Sequence, residues 1–161
     1  MVNASEILSA LAGTYFLVNT SSFFQGTPVP DVSYGEAPVG LLTYTASGFM
    51  SATITATEPE FRPENLTFPF LPNQTNEDWA LVGKHSIGYA GPLRVNDALP
   101  ANKTHGQVFH GPLIVANVPS MANATQRRNY TVVDRGNATY LRIGSERGGG
   151  FTGELWWKKL D

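Results

Sequence analysis

VGLLTYTASGFMSATITAT, residues 39 to 57, contains two runs rich in Val, Leu, Ile, Thr and Phe on either side of Ser47-Gly48. Runs of that composition separated by a short Ser-Gly break read as a β-hairpin. The same pattern extends outward in both directions: TYFLVNTSSF (14–23) before it, and HSIGYAGPLRV (85–95), THGQVFHGPLIVANV (104–118), TQRRNYTVVD (125–134), ATYLRIG (138–144) and FTGELWWKKL (151–160) after it. Asn96-Asp97, Arg135-Gly136-Asn137 and Gly148-Gly149-Gly150 supply further breaks. The expected fold is all-β, an eight-stranded antiparallel up-and-down barrel, with a sandwich as the alternative. Closure removes exposed edges, and eight strands leave an interior wide enough for one small ligand.

Two segments depart from the strand pattern. SEILSALAG near the N-terminus reads as a short helix with Ser5 as its cap and Leu8 and Leu11 on one face. Residues 58–84, a long insertion after the third strand run, hold Pro59, Pro63, Pro69 and Pro72, which exclude a central strand. Its second half, NEDWALVGK, reads as one or two helical turns capped by Asn76. A long insertion at a barrel mouth serves as a lid or wall.

Composition narrows the functions. A chain of 161 residues is most simply one domain, 1–161. With no cysteine, disulfides and thiolate chemistry are excluded. A net charge of -2 argues against a nucleic-acid partner. No apolar run reaches a membrane span, and a homodimer is left open. MVNASEILSALAG lacks the basic region of a signal peptide, which points to the cytoplasm. Against that, Asn3, Asn19, Asn65, Asn73, Asn102, Asn123, Asn129 and Asn137 all stand in Asn-x-Ser/Thr sequons, which leaves secretion as the alternative to a turn-and-strand-end role for these residues.

LAGTYFLVN (11–19), YGEAPVGLLTYTASGFMSATI (34–54) and GELWWKKL (153–160) resemble the lipocalin-like domain family of bacteria and fungi, and HSIGYAGPL (85–93) resembles its fungal members. The resemblance implies a cavity for an apolar or amphiphilic molecule. It also implies a Gly-x-Trp on the first strand stacked on a basic residue of the last, closing one end. Here Gly13-Thr14-Tyr15 stands in the first place and Lys158 or Lys159 in the second. Some fungal lipocalin-like proteins resemble cofactor-free cyclases and isomerases of secondary metabolism, and others in the superfamily carry ligands.

The candidate chemistry follows from residue type and strand parity. His85, Tyr89, Tyr44, His110, Arg128 and Glu154 are candidate catalytic groups: histidine titrates near neutrality, tyrosine donates, and an inward arginine holds a carboxylate or enolate oxygen. Trp79, Phe109, Tyr130, Arg142 and Trp156 are candidate ligand contacts. Parity leaves the inward face of the last strand open, because Trp156 and Trp157 lie on opposite faces. His105 and His110, five apart, fall on opposite faces, so no metal site is expected. No cofactor motif and no Gly-x-Ser-x-Gly elbow occur. The expectation is a cofactor-independent isomerase or cyclase acting on an apolar polyketide or terpenoid intermediate, with a non-catalytic carrier of an apolar small molecule as the alternative.

Overall fold

The computed structural model describes residues 2–161. Strands β1 (Gly13–Phe24), β2 (Thr27–Val29), β3 (Val39–Tyr44), β4 (Phe49–Thr55), β5 (Ser86–Val95), β6 (His105–His110), β7 (Val115–Ala116), β8 (Gln126–Asp134), β9 (Thr139–Gly148) and β10 (Phe151–Lys159) form one antiparallel sheet. The order β10-β9-β8-β6-β5-β4-β3-β1 is closed by pairing of β10 with β1, so eight strands make a barrel. β2 and β7 are short additions on β1 and β5. Among the described residues no helix is long and apolar enough to cross a membrane.

Register decides which side chains enter the barrel. Residues paired across antiparallel strands share a face, so Ala52 opposite Tyr89, Leu93 opposite His110 and Val108 opposite Arg128 form rows on the inner wall. Tyr130 opposite Ile143 and Leu141 opposite Trp157 continue these rows. Tyr44, Ile54, Leu93, Val108, Leu141 and Trp157 are buried there.

One end is stoppered. Helix α1 (Ala4–Leu11) starts at a capping box in which the Asn3 side chain accepts from the Glu6 N–H and the Glu6 carboxylate accepts from the Asn3 N–H. Asn3, not Ser5, is therefore the cap; Glu6 three residues on makes it so. Ile7 and Leu11 are buried in the core, worth roughly 1.5–3 kcal/mol each. Beside them the Tyr15 hydroxyl donates to the Leu11 carbonyl at 2.7 Å, and the Lys159 ammonium lies 6.0 Å from the Tyr15 ring. Lysine and tyrosine thus make the end-closing cation–π contact, through Lys159 and not Lys158.

Elsewhere the strands depart from expectation at glycine and proline. The run 104–118 is broken: β6 ends at His110, residues 111–114 turn, and only Val115–Ala116 pair again, with β5. β9 runs on through Gly148, leaving Gly149 and Gly150 as the turn. The insertion ends in α2 (Asn76–Lys84), capped by Thr75, whose hydroxyl accepts from the Asp78 N–H. Of the sequon residues, Asn3 caps α1, Asn102 closes a turn onto the N–H of Thr104, and the Asn129 amide oxygen accepts from Gln107.

Candidate functional site

At the end of the barrel opposite α1, β8 begins and β9 ends, and a cavity of about 420 Å³ opens between them. That size suits a single small molecule. Leu42, Ile143, Leu155 and Trp157 give it an apolar wall, and Tyr34, Tyr89, His110 and Arg128 a polar one.

His110 is the most constrained of these groups. It is the last residue of β6, only 2% exposed, and its Nε2 lies 2.6 Å from the hydroxyl of Tyr44, itself 1% exposed. The Tyr44 O–H donates and Nε2 accepts, because the reverse leaves the phenolic proton without an acceptor as well as Nδ1 without a partner. The proton of the neutral ring then sits on Nδ1, a buried donor that meets no acceptor in the protein. Burial, reinforced by the charge of Arg128, lowers the His110 pKa to about 3. His110 is therefore neutral at pH 7 and serves as a hydrogen-bond donor, not as a proton acceptor.

Tyr89 stands beside it, ring centroids 6.3 Å apart. Burial raises the Tyr89 pKa, while the adjacent Arg128 pulls the other way, so the phenol stays protonated. Burial also lifts Tyr44 well above the ordinary phenol value. Arg128 is oriented by its own strand: NH1 donates to the Arg127 carbonyl at 2.9 Å and NH2 to the Gln126 Oε1 at 2.8 Å. His110 and Tyr89 are thus neutral groups beside the Arg128 guanidinium.

The mouth is clasped. Asp31 Oδ2 accepts from the Ser22 hydroxyl at 2.7 Å and from Arg147 at 3.3 Å, and Oδ1 accepts from the N–H groups of Ser33 and Tyr34. Arg147 also lies 5.8 Å from the Tyr34 ring. Burial works to raise the Asp31 pKa, but these hydrogen bonds and the Arg147 charge outweigh it, and the net shift is downward. The clasp seats Tyr34 against the cavity. Asp31→Asn will remove the charge partner of Arg147 and cost about 1–3 kcal/mol. Hydrogen exchange at the Ser33 and Tyr34 amides will speed up in that variant; unchanged protection would mean that the loop is held by other contacts.

Of the candidates read from the sequence, Tyr89, His110 and Arg128 line the cavity, and Tyr44 backs His110. Tyr130 points inward but lies deeper, its hydroxyl donating to the Asn102 carbonyl at 2.7 Å. The others do not line it. His85 caps α2, stacks on Phe61 at 3.7 Å and donates through Nδ1 to the Ser33 carbonyl. Glu154, Arg142 and Trp156 share the outer face of β9 and β10, where Arg142 meets Glu154 at 3.8 Å and lies 5.9 Å from the Trp156 ring. Phe109 is on the outer face of β6 under Arg94, and Trp79 is on α2. These outward positions follow from parity once Leu155, Trp157 and His110 are buried.

Cavity residues that were not among the candidates include Tyr34, Arg127, Glu146 and Arg147 on the polar side and Leu42, Ile143, Leu155 and Trp157 on the apolar side. Arg147 was within reach: carrying the strand past Gly144 puts it on the face of Leu141 and Ile143. The Tyr34 loop offered no periodic signal.

The profile of the lipocalin-like domain family matches residues 12–160. No curated protein and no solved structure matches the chain.

Proposed function

Starting from a chain that belongs to the lipocalin-like domain family, we propose that the cavity binds one small apolar molecule and promotes its cofactor-independent isomerisation or cyclisation, the molecule being a polyketide or terpenoid intermediate of secondary metabolism. The observation that carries this reading is the gathering of Tyr89, His110 and Arg128 on one wall of a cavity whose other wall is apolar.

The chemistry these residues favour is narrow. His110 is held neutral, and Glu146, the one carboxylate among the lining residues, is paired with Arg127 at 2.9 Å. Proton abstraction therefore has no strong base at this wall. What the wall offers is donors, the Tyr89 hydroxyl and the Arg128 guanidinium. Placed at a carbonyl oxygen, they stabilise negative charge as it develops there. The apolar wall of Leu42, Ile143, Leu155 and Trp157 folds the chain of the substrate into one shape, which lowers the entropic part of a cyclisation barrier. Such a reaction rearranges bonds within one molecule and leaves its mass unchanged.

A carrier uses the same cavity without turnover. The test is comparison of metabolite extracts from producer cells with and without the gene by mass spectrometry. For an enzyme, one product disappears and an isomer of equal mass, or a shunt product, accumulates. If every metabolite keeps its structure and only amounts or locations change, the enzymatic reading falls and the carrier stands.

A further inference from the structure

Charge around the cavity does not balance. Three arginines line the cavity: Arg127 and Arg128 at the start of β8 and Arg147 near the end of β9. Arg127 is neutralised by Glu146 at 2.9 Å and Arg147 by Asp31 at 3.3 Å. Arg128 makes no ion pair among the described residues; its two hydrogen bonds go to the neutral oxygens of Arg127 and Gln126. Arg62, Arg94 and Arg135 also lack a carboxylate partner, but none of them lines the cavity. The uncompensated charge of the cavity is thus a single positive one, and it lies on the strand neighbouring His110.

A second observation points the same way. His110 brings a buried donor, Nδ1–H, that no protein acceptor satisfies. Buried polar groups are ordinarily paired, and the missing partner must be an acceptor. Arginine supplies several donors in a planar fork, and its attraction for an anion strengthens as water is excluded.

We infer that the occupant of this cavity is an apolar organic acid with one negative charge, its anionic oxygen held at Arg128 and within reach of the unpaired donor of His110. The anion is a carboxylate or the enolate of an acidic 1,3-dicarbonyl, two sources of the same charged oxygen. The inference rests on the reading of the cavity as a small-molecule site. The apolar body lies along Leu155 and Trp157, and Glu146 at the rim stays with Arg127.

The experiment is a competition assay. The neutral fluorophore N-phenyl-1-naphthylamine reports occupancy of the cavity. It is displaced in turn by 2-naphthoate, by 4-hydroxycoumarin as an acidic enol, and by methyl 2-naphthoate, the neutral counterpart of the first. At least one anion is expected to compete about 10- to 100-fold better than the ester, the range for a hydrogen bond to a charged group. Whichever anion does so names the source. Arg128→Met is expected to abolish that advantage, read as the ratio of anion to ester competition within the same folded variant, and Arg128→Lys to keep part of it. Arg135→Met, at an exposed turn, is expected to change nothing.

Equal competition by ester and anions in the wild-type protein overturns the inference without any variant. So does an anion advantage that survives in a folded Arg128→Met. Failure of the fluorophore to bind at all removes the small-molecule reading itself, and this inference with it.

Discussion

Replacing Gly111 by alanine will destabilise the protein by about 2–6 kcal/mol, the sum of backbone strain and overpacking, and will lower the melting temperature by roughly 10 °C. Gly111 has φ +126, a conformation that L residues avoid, and a Cβ built there collides with the carbonyl oxygen of Ala124 and lies 2.9 Å from the Thr125 Cα. Both are backbone atoms and cannot rotate away. The segment is pinned on each side: the Gly111 N–H donates to the Pro92 carbonyl at 2.7 Å and the Leu113 N–H to the Ala124 carbonyl at 2.9 Å. The collision will therefore push β6 away from the start of β8, separating His110 from Gln126 and Arg128. Gly136 provides the control. It too has positive φ, +81, but meets nothing within 4 Å, so its alanine variant pays the conformational term alone, about 1–2 kcal/mol. If both variants melt together, close approach at Gly111 is not what holds this corner of the cavity.

Stability will fall as the pH is lowered from about 6.5 to 3. Unfolded, His110 has an ordinary histidine pKa near 6.5; folded, burial and the Arg128 charge hold it at about 3. Between those values the unfolded chain binds a proton that the folded one refuses, so each pH unit downward costs about 1.4 kcal/mol. The contribution is intact above pH 6.5 and exhausted near pH 3, a total on the order of 4–5 kcal/mol. Asp31 acts in the same direction at the acid end, since its lowered pKa favours the fold above the range where unfolded carboxylates titrate. Urea titrations at pH 7, 6, 5 and 4 will show the slope. His110→Gln, which can still accept from Tyr44 but does not titrate, will flatten it above pH 4. A slope that persists in that variant would assign it to other groups.

The barrel was legible in the sequence because its signals are local and redundant. Each of the eight runs carries β-branched or aromatic residues, most are bounded by Gly, Asn or Pro, and closure fits eight of them in meander order. The same signals that made the strands visible hid their orientation. Trp156 and Trp157 weigh equally as apolar residues, and only packing against Leu141 and the β1 wall decides that Trp157 goes inward. Residues 104–118 look continuous in composition, yet Gly111 and Pro112 interrupt pairing and fix His110 as a terminal inward residue. Tyr44, Tyr89, His110 and Arg128 could be named from their chemistry. Their assembly depends on pairings far apart in the chain, such as Tyr44 with His110, 66 residues away. His85 misled for a local reason: strand parity predicts an inward side chain, but the helix ends on it and Phe61 takes its ring. Asp31 and Arg147, 116 residues apart, had no reason to be paired before the fold brought them together.

The stopper formed by Ile7, Leu11, Tyr15 and Lys159 has a bearing on traffic. A vessel corked at its base has one doorway, and arrivals and departures must share it. Whatever occupies the Arg128 wall has to back out past Tyr34 and Arg147 before a successor can come in. Residence time, not encounter, then governs how many molecules the barrel can serve. An occupant that is held tightly inside is the natural obstacle to the next one.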